Sequence, residues 1–199
     1  MCQALSSERN RLQTLEGHTL LYGGSFNPPH VGHQMACLYG LETLGAAELW
    51  TIPTLAHPFG KPLLDFKHRQ AMLELMLAPF AERAKISLVE KECGSSRTFD
   101  VVSYLQQEHG NRSFAWIVGA DILAEKESWY RWQDLEKMLP IVVLGRSGYP
   151  QEGDLMPNLP EVSSSEIRRL CAENKSINSL VPASVAAYIR SNDLYKEQE

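Results

Sequence analysis

Apolar residues fall along the chain in short runs separated by polar, glycine-rich or proline-rich stretches, and the spacing within each run selects an element. Thr19 to Tyr22 predicts a first strand, His30 to Leu44 a first helix and Glu48 to Ile52 a second strand, with Gly45 placed to end the helix. Such a βαβ unit implies parallel strands joined by a right-handed crossover. Pro53 to Leu64 holds too many prolines to be regular and predicts a surface loop. Asp65 to Leu77 predicts a helix capped by Asp65, with Met72, Leu73, Met76 and Leu77 as its buried stripe. Lys85 to Val89 alternates as a strand, and Thr98 to Gln107 forms a helix with Phe99, Val102 and Leu105 inward. Ser113 to Val118 is the most apolar strand and fits a central place buried on both sides. Ile141 to Leu144 is a further buried strand, Tyr149 to Pro160 a variable loop, and Val181 to Asn192 a closing helix. The pattern predicts an α/β fold: a Rossmann-like doubly wound parallel sheet with a small C-terminal helical segment. Met1 to Gly17 is polar, offers at most a short helix through Leu5, Leu12 and Leu15, and reads as an appendage to a single domain over 18–199.

Composition narrows the functional classes. At 199 residues the chain buries a core without needing a disulfide or metal. A net charge of −5 argues against a broad nucleic-acid-binding face, so an anionic ligand must be met locally. Cys2, Cys37, Cys93 and Cys171 lack metal spacing and read as reduced thiols of a cytoplasmic protein. No apolar run approaches the ~20 residues of a membrane span, so neither membrane nor nucleic acid is an expected partner.

The candidate chemistry begins at Leu20 to Gln34, LLYGGSFNPPHVGHQ. Gly23 and Gly24 permit a sharp turn whose N–H groups a bulky anion can approach, and the helix that follows offers its positive end. His30 and His33, at i and i+3, share one face of its first turn. Gly119, Ala120 and Asp121 leave the central strand at the ligand edge of the sheet, where Asp121 accepts from a ribose diol or caps a helix. His57 and Lys61 in the proline-rich loop are ligand contacts or incidental charges, and Arg146 arrives at the same edge. Trp129, Tyr130 and Trp132 bring flat rings that stack on heterocycles or fill the core. Ser163, Ser164 and Ser165 open another helix, as its cap or as phosphate contacts, with Arg168 one turn on.

Together GGSFNPPHVGH and SSSEIR resemble the nucleotidyltransferase superfamily with HxGH and SSxxIR-like signatures. Within it the chain is similar to the bacterial nicotinate-nucleotide adenylyltransferase family from Leu20 almost to Tyr195. HRQAMLEL, TFDVVSYL, WIVGAD, SWYRWQDL and LVPASVAAYIRSNDLY follow in the family's order. The resemblance implies transfer of AMP from ATP to nicotinate mononucleotide, giving deamido-NAD and pyrophosphate, with Mg²⁺ carried in on ATP. It implies phosphate and catalytic roles for His30, His33 and Arg168. It puts Gly23, Gly24, Ser25, Phe26, Gly119, Asp121, Arg146, Ser164 and Ser165 around ATP, and Thr98, Trp129 and Tyr130 around the pyridine nucleotide. A homo-oligomer is compatible with it. Asn27 stands where the family commonly has Asp, Thr54 where it often has Asn and Arg97 where it has Tyr or another polar residue, while HPFGK separates a His and a Lys that the family tends to keep adjacent. Two other readings stay open: adenylyl transfer to nicotinamide mononucleotide or phosphopantetheine, and a nucleotide-sensing module without turnover.

Overall fold

The computed structural model describes residues 14–56, 62–121, 125–146 and 158–196. Its strands are β1 (His18–Gly24), β2 (Glu48–Pro53), β3 (Ala84–Ile86), β4 (Ser113–Gly119), β5 (Ile141–Arg146) and β6 (Asn158–Leu159). They form one sheet in the order β3-β2-β1-β4-β5-β6, every neighbouring pair parallel. Strand order reverses between β1 and β4, the switch point where an open α/β sheet leaves a crevice at the carboxyl ends of its strands. The β1 exit at Gly23 and Gly24 and the β4 exit at Gly119 flank that crevice.

Alternation along the strands feeds two cores, which makes the sheet doubly wound. Leu20, Leu49, Ala115, Ile117, Val142 and Leu144 face one side, covered by α1 (Val31–Leu38), α2 (Phe66–Leu77), α6 (Ser164–Ala172) and α7 (Ala183–Ser191). Leu21, Trp50, Ile52, Phe114, Trp116 and Val118 face the other, covered by α3 (Val89–Cys93), α4 (Thr98–Glu108) and α5 (Trp132–Met138). The predicted α/β architecture and the central, two-sided place of β4 are both observed. Among the described residues no helix is long and apolar enough to cross a membrane.

Several local expectations need correction. The first helix does not run to Leu44: α1 stops at Leu38 and continues as a π turn, Tyr39–Thr43, in which Leu44 N–H donates to Tyr39 O at 3.0 Å. That wider turn sets both Leu41 and Leu44 into the core. The strand expected to reach Val89 ends at Ile86, because β3 is an edge strand held only by β2, and Val89 is buried by opening α3 instead. Asn158 and Leu159, expected in a loop, pair with Gly145 and Arg146; two residues are too few for a periodic signal. Phe99 is only half-buried, since Val101, Val102 and Leu105 take the inward face of α4. Leu15, read as part of the leader, is fully buried, and its N–H donates to Leu44 O at 2.7 Å. Asp65 caps α2 as expected, accepting from Lys67 N–H at 3.1 Å.

Candidate active site

The turn after β1 is held by bonds that spend its backbone groups on the core side. Thr54 N–H donates to Gly24 O at 3.0 Å, fixing the β2 exit against it. Phe26 takes a left-handed conformation, φ 46°, and its fully buried ring meets Tyr22 and His33 edge-on, with centroids 5.5 and 5.0 Å away. A left-handed phenylalanine is strained by about 1–2 kcal/mol, so packing must hold it there.

His30 and His33 cap α1 reciprocally. His30 N–H donates to His33 Nδ1 at 3.1 Å, and His33 N–H donates to His30 Nδ1 at 3.4 Å. Each ring therefore uses Nδ1 as an acceptor, which puts the proton of the neutral imidazole on Nε2. The rings stack with centroids 3.6 Å apart. Gly32 leaves room for the His30 ring, since a Cβ there would lie 3.1 Å from its Cε1 and Nδ1 and press it aside by a few tenths of an ångström.

The serine-arginine segment lies directly against this turn. Ser163 caps α6, accepting from Glu166 N–H at 3.2 Å. Ser164 Oγ donates to Pro28 O at 2.8 Å, and Arg168 donates from Nη1 to Asn27 O at 2.8 Å and from Nη2 to Ser165 Oγ at 3.1 Å. The start of α6 is thus bonded to the two residues that lead into Pro29 and His30. Sequence positions more than 130 apart meet at one corner, where the Arg168 guanidinium is held against the turn that leads into His30.

The remaining candidates fall into two groups. Gly119 and Asp121 stand at the crevice, so close that a Cβ on Gly119 would run into Asp121 Oδ1. Helical backbone already begins at Ala120, so Asp121 sits inside a first turn rather than at its cap. Arg146 ends β5, its backbone in register with Leu159 of β6; its side chain, like the whole of His57 and Lys61, lies outside the described residues. Thr98 opens α4 beside the aromatic segment. There the Arg97 guanidinium lies 4.6 Å over the Tyr130 ring, Arg131 lies 3.9 Å over Phe99, and Phe99 meets Tyr130 edge-on. Trp129 packs edge-on against the buried Trp132 with centroids 5.5 Å apart. A cavity of about 410 Å³ opens here, walled by Trp129, Arg131 and Asp134 but not by His30, His33 or Arg168.

Three polar residues at the base of the site escaped the sequence reading. Arg69 is 1% exposed and donates from Nε to Leu64 O and from Nη1 to both Ser25 O and Thr54 O, each at 2.9 Å. Its signal was present, because Arg69 falls four and seven residues before Leu73 and Met76, on the apolar stripe of α2. Glu90 accepts from Leu55 N–H at 2.8 Å and from Thr54 Oγ1 at 3.1 Å. Tyr195 donates to Asn27 Oδ1 at 2.9 Å, and Leu64 N–H donates to the same atom at 3.3 Å.

Burial governs the titration of these groups. It pushes the Tyr195 hydroxyl well up, against the pull of Arg168 and Arg69, and it lowers Arg69 against Tyr195, Glu90 and Asp65. Burial also raises the Glu90 carboxyl, opposed by Leu55 N–H, the Thr54 hydroxyl and Arg69. Glu90 therefore holds its proton more tightly folded than unfolded. Its contribution to stability is most favourable below the ordinary carboxylate range and declines as pH rises through the elevated value. Glu90→Gln removes this dependence, so the variant's Tm relative to wild type is expected to climb as pH rises above the ordinary carboxylate range. A difference that stays flat over that rise would contradict the assignment.

Comparison with known proteins adds a lineage to this geometry. The cytidylyltransferase-like family matches residues 21–170. The chain is 42% identical over 185 residues to a "Probable nicotinate-nucleotide adenylyltransferase" of Anaeromyxobacter dehalogenans, covering 88% of this chain and 95% of that protein. It is 33% identical over 184 residues to the nicotinate-nucleotide adenylyltransferase of Bacillus subtilis, with 88% and 97% covered. Its fold is similar to that of Plasmodium falciparum nicotinic acid mononucleotide adenylyltransferase complexed with NaAD, at TM-score 0.79 and 20% identity over 90% of this chain and 98% of the other. By sequence along most of its length and by fold, the chain belongs to the nicotinate-nucleotide adenylyltransferase family of cytidylyltransferase-like enzymes.

Proposed function

We propose that the protein transfers AMP from ATP to nicotinate mononucleotide, releasing pyrophosphate and forming deamido-NAD. The observation that carries this reading is the bonding of Arg168 and Ser164 to Asn27 and Pro28, which joins the guanidinium to the imidazole pair at one corner of the sheet. A phosphate oxygen of the mononucleotide attacks the α-phosphorus of ATP. A new P–O bond forms as the bond to the departing pyrophosphate breaks. The nucleophile is already an anion, so no side chain has to remove a proton. The protein's task is to align the reactants and to place donors where negative charge grows.

The Nε2–H groups of His30 and His33 and the outer N–H groups of the Arg168 fork supply those donors, while the first-turn N–H groups of Val31 and His33 are already bonded to Leu180 O and His30 Nδ1, so α1 contributes the positive end of its dipole. Gly23, Gly24, Ser25 and Phe26 form the floor under the phosphates, Ser164 and Ser165 the far wall. Gly119 and Asp121 attend the adenosine end of the crevice, where the family resemblance also assigns Arg146, and Thr98, Trp129 and Tyr130 the pyridine. Among the described residues no group of His, Cys, Asp or Glu could hold a metal ion, and a face of N–H and guanidinium donors does not suit a cation. Mg²⁺ arriving on ATP would be held by the phosphates and water and would offset their negative charge.

Pyrophosphate release, measured with ATP and each acceptor in turn, tests the reading. The expected result is rapid release with nicotinate mononucleotide. Preference for nicotinamide mononucleotide or phosphopantetheine would reassign the acceptor. ATP binding with no pyrophosphate from any acceptor would make the protein a sensor.

A further inference from the structure

We infer that Arg69 is a positioning residue, which aims the phosphate turn at the triphosphate from inside the protein. The inference rests on the proposed function for the identity of the ligand. Arg69 is more than nine-tenths buried on α2, beyond the reach of any ligand at the crevice, and three backbone carbonyls from three separate segments converge on its guanidinium: Ser25 after β1, Thr54 after β2 and Leu64 before α2.

Two peptide planes are set by these bonds. In a planar trans peptide the C=O and N–H point in opposite directions. The Ser25–Phe26 bond is trans, and its carbonyl is drawn inward to Arg69, so the Phe26 N–H must point away from the core side. The Thr54–Leu55 plane is gripped at both ends by opposite charges, its carbonyl by Arg69 and its N–H by Glu90 Oε2. Thr54 N–H in turn bonds Gly24 O, which ties the gripped plane to the phosphate turn. A guanidinium suits this place because its rigid plane holds two nitrogens apart, Nε for Leu64 O and Nη1 for Ser25 O and Thr54 O, whereas the three donors of a lysine ammonium all sit on one atom at the end of a flexible stem. A buried cation is seldom the most stable filling for a core. Its presence is accounted for by the orientation it imposes.

Arg69→Lys and Arg69→Met, each compared with wild type, test the inference. The readouts are calorimetric affinity for ATP, KM for each substrate, Tm, and amide hydrogen exchange at Thr54 and Leu55. In both variants ATP affinity is expected to fall and KM for ATP to rise by about tenfold or more, while KM for the mononucleotide stays within about twofold. Exchange at Thr54 and Leu55 quickens in folded protein. The lysine variant keeps the charge and still loses ATP affinity.

Wild-type ATP affinity in both variants overturns the inference. So does a drop in kcat that merely follows the folded fraction with both KM values unchanged, and so does failure of both variants to fold, since Arg69 would then build the core rather than aim the turn. Because ATP affinity is read without turnover, a wild-type protein that binds ATP and releases no pyrophosphate would defeat the proposed reaction and leave the Arg69 test standing.

Discussion

His33→Ala is expected to lower kcat by about 100-fold or more, because in the proposed reaction its Nε2–H donates where the departing pyrophosphate gains charge. The same substitution carries a stability cost that the sequence did not reveal. His33 Nδ1 accepts the His30 N–H, and its ring stacks on His30 and meets Phe26, so alanine breaks a capping box as well as a contact. The loss of such a cap costs about 1 kcal/mol. His33→Asn separates the two effects, since its carbonyl oxygen can accept the His30 N–H while the chain is too short to replace the Nε2 donor. Thermal melting is expected to recover partly in His33→Asn and kcat is not. Near-normal turnover in the alanine variant would show that the imidazole is a bystander.

Arg168→Lys is expected to lower kcat/KM for ATP by about 100-fold, or ~3 kcal/mol, despite keeping the charge. The guanidinium fork spans Asn27 O and Ser165 Oγ, which fixes its plane at the junction of the turn and α6. A lysine ammonium is a point donor on a flexible stem and holds no such plane. Steady-state kinetics with ATP varied at saturating mononucleotide read the effect. Values within roughly threefold of wild type would show that the fork serves only to fasten α6.

The two predictions draw on features that differed in how readily the sequence displayed them. Alternation and apolar runs exposed β1, β2, β4 and β5, and the strongest run, Ser113 to Val118, marked the centre of the sheet. The glycine pair, HVGH and SSSEIR stood out because turn chemistry, a histidine pair at helical spacing and a serine cap are all local patterns. Their meeting is not local. It depends on Ser164 and Arg168 finding the carbonyls of Pro28 and Asn27, and backbone acceptors leave no mark in a residue string.

Buried polar groups were hidden for a related reason. Hydrophobicity alone sets an arginine aside, and only the place of Arg69 on the apolar stripe of α2 marks it as the almost wholly enclosed residue it is. Thr54 and Asn27, noted only as departures from the family pattern, are both buried and bonded at the base of the site. The π turn after α1 and the two-residue β6 fall below the length at which spacing carries information.

The most direct measurement is a structure of the protein with a non-hydrolysable ATP analogue bound. Oxygens of one triphosphate are predicted to lie within about 3.5 Å of the Nε2 atoms of His30 and His33 and of the Arg168 guanidinium. A triphosphate seated elsewhere, or touching the imidazoles while Arg168 stays clear of it, would contradict a phosphate grip shared by the first turn and the start of α6.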